Sequence, residues 1–468
     1  MKLMYLLIFA DMVMLGLALT FTIESIHEKE PRATKFGGAG VFAALVILVL
    51  IIWTPAMRLS ITVFFLFGGL FIFICLIPGK PNPGLLKGST SYMLNEGKRF
   101  DERDIVFARA RMTKNGSSEQ AGIYRRYYEK HPEKEEPDAK RRNKGLIGKL
   151  GKIDNCQPSS IAMTKAGFDI PNLLGPHAVA QPQIPRVDLS PEKATDLVKN
   201  FARHIGADLV GICKLNPQWV YSFRGELHYE NWNDWGKPLE DFPPFAVVML
   251  TEMDREHVSA APHTPSVAES ANDYAKGAYI STVLARFFAH MGYRGVAQHN
   301  RHYDTLMVPL AIDAGLGELG RQGYLIAPKY GARVRIFATL TDMELIPDRP
   351  ISIGAEEFCS KCKKCAEACP SRSIPSNEKV LYSGVEKWKL DEELCFDYWS
   401  KIGTDCAICM AICPFSRPYT FSHIIVRWLV ARSPVVQKLF PILDNWIYGK
   451  KWRPRKVSPW LDYTTRTN

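Results

Sequence analysis

The chain opens with three apolar blocks and then becomes periodic. Leu3–Ile23 is apolar apart from Asp11 and two threonines, Phe36–Met57 reads FGGAGVFAALVILVLIIWTPAM, and Leu59–Ile77 reads LSITVFFLFGGLFIFICLI. Each block is close to the ~20 residues with which a helix crosses a hydrocarbon core. A cleaved signal peptide ahead of a core hairpin is the competing reading. It needs a small-residue cleavage site, and LTFTIESIHEKE offers none. Three membrane spans are therefore expected. Asp11 is a weak site candidate, explained by facing a partner helix or water.

Beyond the blocks, GKPNPGLLKG (Gly79–Gly88) reads as a linker. Residues from about 115 to 145 are charged and poor in apolar periodicity, so they read as surface wrap or loop. From Leu189 to Ile346 helical and strand patterns alternate. SPEKATDLVKNFARHIGAD has a serine cap and apolar residues at helical spacing, and LVGICKL follows as a short buried strand. FAVVML and ARVRIFATL read as strands, and AYISTVLARFFAHMGY as a helix. No solenoid-period repeat is present. The fold class expected is α+β or αβ, with transmembrane helices at the N-terminus.

Charge refines this picture. The formal net charge is +11, and Lys80–Asp154 carries 18 Lys and Arg against 11 Asp and Glu. Nucleic acid can neutralise such a patch, but after three spans an anionic membrane surface is the more natural partner, so membrane lipid and no nucleic acid is expected. The first loop holds Lys29, Arg32 and Lys35 on the same side as the basic stretch, whereas the opposite side holds only Lys2 and Arg58. The positive-inside rule then predicts a multi-pass protein of the inner membrane with its large soluble part facing the cytoplasm. No twin-arginine pair precedes the first block, which points the same way.

Cysteine spacing is the strongest chemical signal. Cys359, Cys362, Cys365 and Cys369 follow C-x2-C-x2-C-x3-C with Pro370 next; Cys395, Cys406, Cys409 and Cys413 follow C-x10-C-x2-C-x3-C with Pro414 next. In the two-cluster bacterial ferredoxin pattern the last cysteine of each run ligates the other cluster. That predicts two [4Fe-4S] clusters, one on Cys359, Cys362, Cys365 and Cys413, the other on Cys395, Cys406, Cys409 and Cys369. Zinc accepts paired C-x2-C but does not explain the proline-terminated runs. Cys75, Cys156 and Cys213 have no ligand spacing and read as plain thiols. No Walker A sequence occurs, and GLGELG at Gly315–Gly320 lacks the strand-to-helix context of a dinucleotide turn.

With the clusters in place, GADLVGICKLNPQWVYS, PLAIDAGLGELGRQGYLIAPKYGARVRIFATLTDMEL, RFDERDIVFARARM and LDNWIYGKKWRPRKVSPWLD resemble the corrinoid-dependent reductive dehalogenases over roughly residues 95–465. The three helices, with Glu28 and Glu30 in HEKEPRA, resemble the small membrane anchor that accompanies those enzymes as a separate subunit. The resemblance implies a nitroreductase-like corrinoid-binding αβ domain feeding on a ferredoxin-like domain. It implies a base-off corrinoid, in keeping with the lack of a D-x-H-x-x-G segment. The domains expected are a membrane anchor at 1–80, a linker and basic wrap at 81–188, the corrinoid-binding domain at 189–350, the two-cluster domain at 351–420 and a capping segment at 421–468.

Motif order implies site residues. The family's proton-donating tyrosine falls on Tyr274, with Asn300 and Arg333 as companions; Tyr279 and Arg335 compete, because Arg333 and Arg335 share a strand face. His299, His302, Gly315, Gly317 and Gly320 are expected around the corrinoid, although close backbone packing explains the glycines equally well. The implied reaction replaces halogen by hydrogen on a small organohalide, with a quinol, ferredoxin or flavodoxin as electron donor. Two alternatives stay open: an epoxyqueuosine-reductase-like enzyme, for which Asp273 beside Tyr274 would be the acid, and a non-catalytic iron–sulfur electron-transfer subunit. The tail from Phe421, with Trp428, Trp446 and Trp452 among basic residues, fits either an amphipathic element on the membrane or a cap.

Overall fold

The structure is a computed structural model, and it describes residues 2–79, 84–95, 97–144, 158–225, 234–457 and 460. Its contacts divide the chain into two units that interleave in sequence. One comprises Met1–Pro81, Ile353–Cys362 and Arg417–Trp452; the other comprises Asn82–Ser352, Lys363–Ser416 and Arg453–Asn468.

In the first unit, the apolar blocks form helices Lys2–His27, Pro31–Trp53 and Arg58–Leu76. With the short 3-10 turn before the third, all three are long and apolar enough to cross a membrane. Leu6, Phe9, Phe42, Leu66 and Phe67 stay exposed, as side chains facing lipid do, while Leu7, Ile51 and Ile61 pack between the helices. Gly37 lets the first two helices approach, since a Cβ there would lie 2.4 Å from the Thr22 hydroxyl. Asp11 is fully buried in this packing, and neither carboxylate oxygen has a hydrogen-bond partner among the described residues.

The tail docks onto the same unit. Its helices are Phe421–Val430 and Pro434–Tyr448, and the short helix Ala355–Cys362 packs on the second of them, with the Phe358 and Phe440 rings 6.1 Å apart. Glu24 accepts hydrogen bonds from the backbone N–H of Phe421 (2.9 Å) and Ser422 (3.2 Å). Glu28, buried in the first loop, lies 3.2 Å from His423 Nε2, and Arg32 Nε donates to the Trp446 carbonyl at 2.7 Å. Arg417 pairs with buried Asp444 (2.6 Å) and lies over the Tyr448 ring.

The second unit is built on an antiparallel sheet. Its strands are β1 (Val179–Ala180), β2 (Leu209–Lys214), β3 (Phe245–Glu252), β4 (Gly295–Gln298), β5 (Glu318–Leu319), β6 (Leu325–Ile326), β7 (Val334–Thr341), β8 (Val380–Tyr382) and β9 (Val385–Lys387). The five-stranded sheet runs β1-β4-β7-β3-β2 with every pairing antiparallel; β5–β6 and β8–β9 are separate hairpins. Alternation sorts the strand residues onto two faces. Val247, Met249 and Phe337 meet Ile280, Leu284 and Phe288 of the helix Thr264–His290. Ala246, Val248, Leu250, Ala338 and Leu340 pack with Leu310 and Ala311 of the helix Met307–Asp313. The expected strands and the capped helix Pro191–His204 form as read, with Ser190 accepting from the Lys193 N–H.

The stretch read as wrap or loop is instead two helices, Ser118–Lys130 and Pro132–Lys144. Apolar periodicity missed them because tyrosines and ion pairs do the packing. Tyr124, Tyr127 and Tyr128 are buried, and their hydroxyls donate to Glu135 (2.8 Å), Asp104 (2.9 Å) and Asp138 (3.0 Å). Arg109 and Arg141 bind Asp138 between them at 2.9 and 2.8 Å. Both also reach Glu393 on the helix Glu392–Ile402, which carries Cys395. Removing one partner of a buried ion pair leaves charge uncompensated, at about 3–5 kcal/mol. Arg109→Ala is therefore expected to lower unfolding stability by about 3–5 kcal/mol, checked by denaturant unfolding of the purified protein; a loss under about 1 kcal/mol would mean that the network adds nothing.

Candidate functional site

Tyr274 lies within the helix Thr264–His290 rather than ahead of it, because apolar spacing continues on both sides of ANDYAKG. Serines 266 and 270 precede it at helical spacing on the same face. That face meets Arg335 of β7. Arg335 Nη1 donates to the Tyr274 hydroxyl at 3.0 Å, and its guanidinium stands 4.7 Å from the phenol ring centre. Nη2 donates to Ser270 Oγ at 2.5 Å and to Asp405 at 3.2 Å. Asp405 also accepts from Ser270 and sits next to Cys406. One guanidinium thus ties the tyrosine helix to the second cysteine run.

Arg333 takes a different place. It is 2% exposed and donates to the carbonyls of Ser416 (2.7 Å) and Met253, with Glu252 at 3.0 Å. Of the two arginines, the structure brings Arg335 to Tyr274 and leaves Arg333 holding backbone. Spacing placed both on one strand face, but Arg333 precedes the ordered pairing of β7, which begins at Val334. Tyr279, the competing tyrosine, is 51% exposed.

Asn300 and His299 lie in the turn after β4, where His299 and His302 bridge each other through backbone. The Asn300 Oδ1 is buried without a hydrogen-bond partner among the described residues. The next residue, Arg301, stands over the Phe168 ring (5.5 Å), and that ring lies 5.8 Å from Tyr274's, so this turn and the tyrosine share one neighbourhood. His302 is fully engaged: Nδ1 is 3.1 Å from the Ala297 carbonyl and Nε2 is 3.3 Å from Arg224. Burial holds its pKa below the ordinary value, so the ring is neutral, donating from Nδ1 and accepting at Nε2. The three glycines serve packing. A Cβ on Gly315 would meet the Arg349 carbonyl at 2.4 Å, one on Gly317 the Ile326 carbonyl at 2.3 Å, and one on Gly320 the Gln322 and Ile326 side chains at 2.9 Å.

In the second cysteine run, Cys395, Cys406 and Cys409 lie within electrostatic range of one another and of Cys369. The spacing expects these four as the ligands of one cluster. Burial first, and then the neighbouring thiolates, push Cys395 and Cys406 up to about 12 and Cys409 well above its ordinary range. Among the described residues no three His, Cys, Asp or Glu gather tightly enough for a single ion. Zinc, at about 2.3 Å from each thiolate, needs such a gathering; four half-buried cysteines in this sequence pattern are the donor set of an iron–sulfur cube. Cys359 and Cys362 lie on the helix Ala355–Cys362 of the first unit, and Cys365 and Cys413 lie in the second. Cys75 and Cys213 are buried free thiols; Cys156 lies outside the described residues.

The sequence model of the 4Fe-4S dicluster domain matches residues 358–416. The tetrachloroethene reductive dehalogenase of Dehalobacter restrictus is 34% identical over 301 residues, covering 55% of this chain and 54% of the relative. That of Sulfurospirillum multivorans is 31% identical over 328 residues, covering 64% of this chain and 65% of the relative. The structure of the catabolic reductive dehalogenase NpRdhA in complex with 3-bromo-4-hydroxybenzoic acid superposes with a TM-score of 0.62 at 25% identity, over 81% of this chain and 53% of that one. The chain is similar to the reductive dehalogenases over more than half of its length. It spans just over half to about two thirds of the length of these dehalogenases.

Sequence reasoning about this dehalogenase-like chain left three neighbours of the site unnamed. Ser270 was legible as i−4 to Tyr274. Asp405 was legible only as the residue before Cys406. Tyr324 lies within electrostatic reach of Cys395, Cys409, Arg335 and Tyr274, and burial pushes its phenol well above the ordinary range; nothing in its local sequence marks it. The residues present fit the family's iron–sulfur cofactor: the cysteines match a cluster's donor set. Cys369→Ala is expected to remove roughly half of the iron and acid-labile sulfide of the anaerobically reconstituted protein. Loss of all iron, or of none, would argue against a crossed fourth ligand.

Proposed function

We propose that the protein is a membrane-anchored reductive dehalogenase: an organohalide, two electrons and one proton give the hydrogenated product and halide. The observation that carries the proposal is the Arg335–Tyr274 pair, held at 3.0 Å beside the cysteine run, in a chain similar to the reductive dehalogenases. A base-off corrinoid held beside Tyr274 and Asn300 would supply strongly reducing cobalt chemistry, and two [4Fe-4S] clusters held by the cysteine runs would supply its electrons. The chain's own residues then handle the proton and the substrate. Tyr274 gives its hydroxyl proton to the carbon that loses halide. The Arg335 guanidinium, in contact with the phenol oxygen and over the ring, favours the phenolate left behind. Arg335 takes the companion role in this reading, and Arg333 a supporting one. Asn300 Oδ1 is an acceptor free to orient a substrate hydroxyl.

Helix length and the excess of Lys and Arg beside the first loop support anchoring in the cytoplasmic membrane, with the catalytic part on the cytoplasmic face. A quinol is the donor favoured by the buried Glu28–His423 contact at the end of the first span, where a proton acceptor for its hydroxyls stands ready. A soluble ferredoxin or flavodoxin is the donor if every quinol leaves the protein inactive while either of those supports turnover. The epoxyqueuosine-reductase reading is not favoured, since the dehalogenase likeness covers far more of the chain and Tyr274 meets Arg335. A preparation with iron and sulfide but no bound corrinoid would restore the electron-transfer reading.

The test is halide release from a halophenol panel with a low-potential donor. Tyr274→Phe is expected to lower kcat by about a hundredfold or more, with cluster content unchanged. Arg335→Gln is expected to lower it by about tenfold or more, whereas unchanged turnover in Tyr274→Phe removes the proton-donor role.

A further inference from the structure

Three buried side-chain atoms beside the site have no hydrogen-bond partner among the described residues: Asp273 Oδ2, Thr251 Oγ1 and Arg335 Nε. Asp273 and Thr251 are 0% and 1% exposed. The fold sets all three at one level. Thr251 and Arg335 are direct partners across β3 and β7, so their side chains share a sheet face. The helix Thr264–His290 covers that face in register: Thr339 donates to the Ser281 carbonyl at 2.9 Å, and Gly277 sits against Phe337. One turn earlier in the helix, Tyr274 meets Arg335 and Asp273 lies within its electrostatic range. Arg335 holds the phenol through Nη1 and feels the charge of Asp273.

An acceptor, a donor and a hydroxyl that serves as both are the partners that a buried water needs. We propose that Asp273 returns a proton to Tyr274 after each turnover, through a water held by Asp273 Oδ2, Thr251 Oγ1 and Arg335 Nε. This inference rests on the reading of Tyr274 as proton donor. The balance is closed. The Tyr274 O–H bond breaks as its proton goes to carbon. The Asp273 carboxyl O–H then breaks, the water passes one proton on, and the Tyr274 O–H bond reforms. Asp273 is left as carboxylate against the Lys276 ammonium, 2.9 Å from its other oxygen. Lys276 is 45% exposed and is the exchange point at which solvent returns the proton.

The electrostatics agree. Burial first, and the Glu269 carboxylate second, push Asp273 up to about 7, against the opposing charges of Lys276 and Arg335. At and below neutrality it therefore holds a proton to give. Glu269 faces it from the preceding turn and is itself tied to His257 at 3.3 Å and to the Asp254 N–H at 2.7 Å. From β7 Arg335 acts on it, with Asp405 beyond, and the helix Pro158–Leu174 presents Gly167 and Phe168 to this helix, neither of which titrates.

Positioning and relay are separated by turnover number. Asp273→Asn is expected to leave halide release in the first turnover within about twofold, and to slow later turnovers by about tenfold or more. Wild-type kcat should fall as pH rises through about 7, a limb absent in Asp273→Asn and regained in Asp273→Glu. In the cofactor-free protein, the carboxylic C=O infrared band should vanish in Asp273→Asn and shift in Thr251→Val, which removes only a water ligand. Steady turnover and pH profile unchanged in Asp273→Asn, while Tyr274→Phe abolishes the first turnover, would overturn the relay alone. A Tyr274→Phe enzyme as fast as wild type would remove the donor reading and the relay with it. A band that Thr251→Val leaves in place excludes the water.

Discussion

The Arg335 guanidinium is the constraint around which the second unit is arranged. A cation among buried groups is tolerated only when several partners share it. Here they come from three places: Ser270 and Tyr274 from one helix, Asp405 from the cysteine run, and a strand partner, Thr251, that fixes its height on the sheet. A register slip of one residue between β3 and β7 would turn Arg335 to the other face. The antiparallel sheet therefore does more than form a core. It aims one charge at one phenol and links that phenol to the loop next to Cys406.

The same logic of compensated charge holds the cysteine helix. Arg109 and Arg141 clamp Asp138 and Glu393, so the basic stretch serves as much as an internal bracket as a surface patch. The thiols it helps to position are neutral at ordinary pH, pushed up by burial and by one another. A metal centre must displace their protons, which couples cluster assembly to completion of the fold.

In the unit that carries the three long apolar helices, polar groups again decide contacts that apolar area leaves open. Glu24, Glu28 and Arg32 around the first loop bind the tail helices through Phe421, Ser422, His423 and Trp446. Trp428 and Trp446 remain exposed, 44% and 61%, on the same pair of helices. An amphipathic surface and a docked segment are thus one element.

Much of this was written in local pattern. Three unbroken apolar blocks, strand alternation in FAVVML and ARVRIFATL, a serine-capped helix and two proline-terminated cysteine runs each follow from short-range rules of burial, capping and ligand spacing. Those rules do not reach what depends on which segments meet. Arg333 and Arg335 are equivalent by alternation, and only the start of β7 and the approach of the cysteine loop separate them. The tyrosine-and-ion-pair helices at 118–144 lack the aliphatic period that betrays a helix. Asp273, one residue from Tyr274, is an unremarkable helix acid in sequence, and burial against β3 and β7 makes it a proton carrier. Side-chain chemistry was set by the sequence alone, whereas desolvation and long-range charge, which decide what that chemistry does, exist only once distant segments are packed together.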